Sequence, residues 1–171
     1  MKRADQESHL ETLIRANASD LLAYLERRAD PRADAADILS ETFIVAWQKA
    51  GKVPADAVAG RMWLFVIARN VLLNTHRSTR RRLAVTNRLR AELEQAPADT
   101  DDLDTLAVRE AVTQLPPVLG ELVGLVHWEG FTLVEAAHLT GVSASTARSR
   151  YASAKQRLRA ALVAEPEESR G

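Results

Sequence analysis

The sequence has no cysteine, which excludes disulfide-built scaffolds and Cys-ligated zinc sites. Aromatic residues are scarce, with three Trp, two Tyr and three Phe in 171 residues. Gly and Pro are few as well, at seven and six. Long hydrophobic runs are missing: stretches such as Trp63 to Ala68 fall far short of the roughly 20 residues a membrane helix needs. Met1-Lys2-Arg3 is followed by acidic residues and not by the apolar core of a secretory signal. These absences predict a soluble, cytoplasmic protein with no membrane insertion. The length allows one ordinary domain or two small ones.

Net charge is absent too, since 23 Lys and Arg balance 23 Asp and Glu. Along the chain the balance dissolves. Residues 1–60, 61–90, 91–135 and 136–171 carry formal charges of −2, +8, −9 and +3. Two basic surfaces separated by an acidic segment can each attract a polyanion while the whole chain stays neutral. Solvated helix faces would give the same blocks, so charge alone does not decide.

What the chain does have is Ala and Leu at helical spacing, with no β-branched alternation, and this predicts an all-α protein. The segment from Ala91 to Asp104 is acidic, holds a Pro and has two Leu as its large apolar residues, so it reads as a flexible linker between two small helical domains. The expected boundaries are residues 8–86, an acidic linker over 87–104, and 105–163. In the first domain, Leu10, Leu13, Ile14, Leu21 and Leu25 share one side of a helix ending before Asp30-Pro31. A second helix is predicted from about Asp34 to Ala50, with Ala35, Leu39, Phe43, Ala46 and Trp47 inward and Asp34, Asp37, Glu41 and Gln48 outward. After a loop over Lys52–Gly60, a long helix should run from about Arg61 past Arg82.

On that long helix Trp63, Asn70, Asn74, Arg77 and Arg81 form one stripe, opposite an apolar face of Leu64, Ile67, Ala68, Val71 and Leu72. An aromatic ring, two amides and two guanidiniums can stack a base, bond its edges and neutralise phosphates, as single-strand binders do. Arg80, Arg81 and Arg82 extend the cationic end. The alternative is an inward Trp63 and solvated arginines.

In the second domain one helix near Leu103–Leu115 should stop at Pro116-Pro117, and another should cover about Val118–His127. Thr132-Leu-Val-Glu135 has the form of a capping box. A short helix then closes at Gly141, and Ser143 is suited to cap a final helix reaching about Ala161. Small Ala137, Gly141 at the turn and Val142 at the joint have the spacing of a helix-turn-helix. On the last helix Ala147, Tyr151, Ala154, Leu158 and Leu162 are the expected buried stripe. Ser145, Thr146, Arg148, Ser149, Ala152, Ser153 and Lys155 are left outside, where short polar and cationic groups suit a major groove. His138 to Ala164 hold five basic residues and no acid, which adds phosphate attraction. A plain helical hairpin would share the pattern without binding DNA.

Enzyme chemistry finds little support. The four His make no paired metal motif, and Glu135-x-x-His138 is a single unit where a di-metal bundle needs two. Gly-rich phosphate loops and Gly-x-Ser-x-Gly are missing. No cofactor, metal or catalytic residue is expected, and the chain is expected not to be an enzyme.

In this order the motifs resemble the extracytoplasmic function (ECF, group 4) sigma factors of bacterial RNA polymerase, over nearly the whole chain. Asp34-Ala-Ala-Asp37-Ile-Leu-Ser-Glu41-Thr-Phe-Ile-Val-Ala-Trp47 is similar to sigma region 2.2. Trp63-Leu-Phe-Val-Ile-Ala-Arg-Asn70 with the following Arg cluster is similar to regions 2.3 and 2.4. Leu115-Pro-Pro, Glu129-Gly-Phe-Thr-Leu-Val-Glu135 and Ser145-Thr-Ala-Arg-Ser-Arg150 resemble region 4. The resemblance implies that Asp34, Asp37, Glu41, Thr42, Phe43 and Trp47 bind the β′ clamp helices of core polymerase, whose β flap is a further partner. It implies minus-ten contacts, double- and single-stranded, from Lys52, Arg61, Trp63, Asn70, Asn74, Arg77, Arg80 and Arg81. The loop Lys52–Gly60 would receive a flipped base, at a cost of a few kcal/mol of unstacking. Ser145, Thr146, Arg148, Ser149, Arg150 and Lys155 would read the minus-thirty-five element, the acidic strap would follow the RNA exit path, and an anti-sigma factor would control the whole. Two departures stand out: the loop has no aromatic residue, and Ser145 and Ala147 stand where Gly and Val are usual. A stand-alone helix-turn-helix regulator and a sequestering protein that binds no DNA remain as rival readings, separated by binding to core polymerase and by run-off transcription.

Overall fold

The computed structural model describes residues 3–86 and 103–163, with side chains over 5–78 and 107–163. Among the described residues it holds seven α-helices, two short 3-10 turns and no strand. The chain divides into two units, residues 1–94 and 95–171. Of the acidic segment expected over 87–104, residues 87–102 lie outside the described residues, and Leu103 already opens a helix.

In the first unit α1 (Arg3–Glu26), α2 (Ala35–Gln48) and α3 (Ala57–Thr86) pack pairwise, each against the other two. Their shared core holds Leu10, Leu13, Leu21, Tyr24 and Leu25 from α1, Ile38 and Ala46 from α2, and Leu64, Phe65, Ile67, Ala68, Val71 and Leu72 from α3. Large aliphatic and aromatic side chains in such positions each contribute about 1.5–3 kcal/mol of burial free energy. Tyr24 and Phe65 meet edge to face, with ring centroids 5.3 Å apart.

The expected inward stripe of α2 is corrected by the structure. Ala35, Ile38, Thr42 and Ala46 are the buried residues, whereas Leu39 and Phe43 are half-buried and Trp47 is exposed. Leu39, Phe43 and Trp47 drew the assignment by hydrophobicity, but the face turned to α1 and α3 lies one position back, at Ile38, Thr42 and Ala46. The third helix also begins earlier than expected. Asp56 Oδ1 accepts a hydrogen bond from the Ala59 amide at 2.8 Å, so the helix starts at Ala57 and not near Arg61.

In the second unit α4 (Leu103–Thr113), α5 (Pro117–His127) and α7 (Ala144–Val163) share a core of Val112, Leu115, Leu119, Val123 and Ala154, and α6 (Leu133–Thr140) packs on α5 and α7. Trp128, Tyr151 and Leu158 pack against it. Leu162, expected inside, is 41% exposed because α7 continues beyond the helices that cover it.

The local signals at the helix ends are realised. Glu135 Oε2 accepts from the Thr132 amide at 2.7 Å, and Thr132 Oγ1 accepts from the Glu135 amide at 3.2 Å, a complete capping box. Gly141 ends α6 at φ 71°, in the left-handed region. Ser143 Oγ accepts from the Thr146 amide at 3.1 Å and opens α7.

Candidate polymerase and nucleic-acid interfaces

The outer face of α2 carries Asp37, Ser40, Glu41, Ile44, Trp47 and Gln48, all exposed. Ile44 is 57% exposed and Trp47 44%, so two carboxylates lie beside an uncovered apolar pair. Such a surface suits a partner with basic rims and an apolar centre. Asp34 and Asp37 also sit at the N-terminal end of the helix, where acidic side chains complement the helix dipole. Of the residues assigned to this contact, Thr42 is corrected: it is wholly buried, and its hydroxyl donates to the Ile38 carbonyl at 2.7 Å. Its side chain faces the core of the first unit and not the outer face of α2. Ile44, by contrast, went unnoticed in the sequence, although it lies three residues after Glu41 on the same face.

On α3 the stripe appears as spaced. Asn70, Asn74 and Arg77 are exposed, Trp63 is half-buried, and Leu64, Ile67, Ala68, Val71 and Leu72 on the adjoining face are buried. The side chains of Arg80, Arg81 and Arg82 lie outside the described residues. Arg61 does not join this stripe. Two residues before Trp63, it points about 160° around the helix, pairs with Asp20 at 3.0 Å and lies over the Phe65 ring, 4.8 Å from its centroid. It braces α3 against α1. The connection before α3 is short and shaped: a 3-10 turn over Ala50–Lys52, a buried Val53, and Lys52 exposed.

In the second unit α6 and α7 form the expected helix-turn-helix, packed through Ala137 and Ala147, which are 3% and 0% exposed. Ser145, Arg148, Ser149, Ala152 and Lys155 are exposed on α7. The Lys155 ammonium stands 5.5 Å from the Tyr151 ring centroid, which helps to fix where that charge is presented. Thr146 and Arg150 are half-buried on the flanks, and the Thr146 hydroxyl is bonded to Ser143 Oγ at 2.8 Å. Gln156 and Arg159, also exposed, continue the Arg148 stripe at helical spacing and were not singled out from the sequence. Among the described residues, no three His, Asp or Glu gather closely enough to hold a metal ion, and no helix is long and apolar enough to cross a membrane.

Comparison with known proteins agrees with this geometry. Residues 13–82 match sigma-70 region 2 and residues 105–158 match sigma-70 region 4. The chain is 28% identical over 162 residues to the ECF RNA polymerase sigma factor SigL of Mycobacterium tuberculosis, covering 93% of this chain and 92% of the relative. It is 31% identical over 147 residues to the ECF RNA polymerase sigma factor EcfG of Rhodopseudomonas palustris, covering 82% and 76%. In fold it is similar to the sigma factor RpoE solved with the anti-sigma factor NepR from Bartonella quintana, with a TM-score of 0.71, 24% identity, and 95% and 99% of the two chains covered. Two helical units with these motifs define a sigma factor, the subunit that binds core RNA polymerase and promoter DNA. Within that class the chain belongs to the ECF RNA polymerase sigma factors.

Proposed function

We propose that this ECF sigma factor divides its work along the chain, with residues 8–86 binding core polymerase and opening the minus-ten element, 87–104 linking, and 105–163 reading the minus-thirty-five element. The observation that carries this division is the separation of three chemically distinct faces. Asp37, Glu41, Ile44 and Trp47 make the anionic and apolar face of α2. Asn70, Asn74 and Arg77 make the amide and guanidinium face of α3, and Ser145, Arg148, Ser149 and Lys155 make the polar face of α7. The first suits the clamp helices of β′, the second an opened strand, and the third a major groove.

In this reading the factor acts in the cytoplasm, catalyses nothing itself and needs no cofactor. An anti-sigma protein restrains it by covering its promoter- and polymerase-facing surfaces. Support comes from relatives of the same fold: RpoE was solved with the anti-sigma factor NepR, and CnrH with the cytosolic domain of CnrY. Run-off transcription by core polymerase reconstituted with this chain, on a promoter library randomised at both elements, tests the division. Enrichment of a two-part promoter is the expected result. Failure to bind core, or binding without start-site selection, would overturn it.

A further inference from the structure

The connection between α2 and α3, together with the first turns of α3, is laid along one stripe of α1. Gln6, His9, Leu13 and Asp20 recur at steps of three, four and seven residues, which places them on a single helical face. Each meets a successive point of the segment from Gly51 to Arg61. Gln6 Nε2 donates to the Gly51 carbonyl at 3.5 Å, and His9 Nε2 lies 2.9 Å from the Pro54 carbonyl oxygen. The side chain of Leu13 fills the space beside Gly60, where an added Cβ would come within 2.9 Å of Leu13 Cδ2. Asp20 closes the row with its ion pair to Arg61.

His9 makes the strongest of the two bonds to the loop itself. A carbonyl oxygen only accepts, so His9 must carry a proton on Nε2 and donate it. Its distance is near the optimum, whereas that of Gln6 is at the outer limit. The loop is also fastened by Val53, 8% exposed, and by Asp56 capping α3. Between these anchors Gly51, Lys52, Ala55 and Asp56 are exposed. With no aromatic ring in the segment, a base cannot be held there by stacking on the loop. Backbone polar groups and Lys52 remain, and their selectivity depends on fixed positions, since a misplaced hydrogen-bonding group discriminates poorly.

We infer that His9 is a positioning residue for base recognition: by holding the Pro54 carbonyl from α1, it sets the loop ahead of α3 in the shape that receives an unstacked minus-ten base. This rests on reading the segment Lys52–Gly60, whose last four residues form the first turn of α3, as the minus-ten loop. The device is preorganisation, in which the ordering cost of the loop is met on folding and not on binding DNA.

The test uses holoenzyme reconstituted from core polymerase and the full chain, with promoters randomised across the minus-ten element. His9→Ala and His9→Phe are compared, the second keeping a ring but lacking the donor, so that loss of packing is told apart from loss of the bond. His9→Gln retains an amide donor. Ala55→Arg and Lys52→Ala alter the loop directly. Both variants lacking the donor should lower discrimination at one minus-ten position roughly three- to tenfold, leave the minus-thirty-five preference and core binding unchanged, and be largely rescued in His9→Gln. The loop variants should act at the same position. If the loop variants change the preference while His9→Phe does not, or lowers use of all sequences equally, the positioning role is wrong and the loop reading stands. If neither loop variant changes any preference, the loop reading falls and the role of His9 falls with it.

Discussion

His127 Nε2 lies 2.6 Å from the hydroxyl of Tyr151, and the two rings stack with centroids 6.0 Å apart and planes at 15°. The pair fastens the end of α5 to the middle of α7. Tyr151 also packs against the core of Val112, Leu115, Leu119 and Val123. Because Ala147 is a small plug at the turn, the pose of the recognition helix depends on contacts further along, and Tyr151 supplies both a packed ring and a polar tether.

Tyr151→Phe keeps the ring and removes the tether, which on an exposed bond should cost about 0.5–1 kcal/mol. Tyr151→Ala also empties part of the core and should cost about 2–4 kcal/mol. Thermal unfolding of the full chain, followed at the transition of the second unit, checks the order. Equal melting temperatures for Tyr151→Phe and Tyr151→Ala would mean that the ring is not packed as described.

Much of this architecture was legible in the sequence because its signals are local. The Thr132 and Glu135 box, the turn at Gly141 and the cap at Ser143 each concern residues within one helical turn, and each is present at the expected place. The α3 stripe was legible for the same reason, since helical periodicity alone decides which side chains share a face. What failed depended on contacts between helices. Hydrophobicity assigned Phe43 and Trp47 inward on α2, whereas close packing against α1 and α3 selects Ile38 and Thr42. The resemblance placed Arg61 among the minus-ten contacts, and only the fold reveals Asp20 at 3.0 Å from it across 41 residues of sequence. His9 and Pro54 are separated by 45 residues, and no pattern along the chain announces their bond.

The correction at Thr42 separates two roles on α2. Ile44→Asp places a charge on a side chain that is already 57% exposed, so the melting temperature should stay within a degree or two. Core polymerase binding should nonetheless fall by at least about tenfold, as for loss of an apolar anchor. Thr42→Val, which keeps the shape and removes the hydroxyl, should leave core affinity unchanged and alter stability by about 1 kcal/mol or less. Titration of labelled factor with core polymerase measures both. A large affinity loss in Thr42→Val without destabilisation would restore Thr42 as a direct contact.

Asn70 is exposed on α3, at the edge of the buried stripe of Ile67, Ala68 and Val71. In the proposed role its amide bonds the edge of a base that has left the duplex, which assigns its contribution to opening and not to initial capture. Asn70→Ala should therefore reduce permanganate reactivity of the promoter bubble by roughly three- to tenfold while closed-complex binding changes less than twofold. Arg77→Ala, by removing a charge, should weaken both steps and flatten the salt dependence of binding. Unchanged bubble reactivity in Asn70→Ala would remove this residue from the strand-opening face.

Arg148 and Arg159 lie on the same side of α7, three helical turns apart, and both are exposed. Their positions along the helix predict different work. Recognition helices present their N-terminal residues to base edges, and the distal turns run out over the phosphates. Arg148→Ala should then cost roughly 1–3 kcal/mol on the preferred minus-thirty-five sequence and little on others, relaxing selectivity at one position. Arg159→Ala should weaken all sequences alike and lower the slope of log affinity against log salt by about one. The two slopes, measured with holoenzyme on matched and mismatched promoters between low and moderate salt, decide the assignment. If Arg148→Ala behaves as a uniform, salt-sensitive loss, it is a phosphate contact, and base reading must come from the short side chains beside it, Ser145 and Ser149.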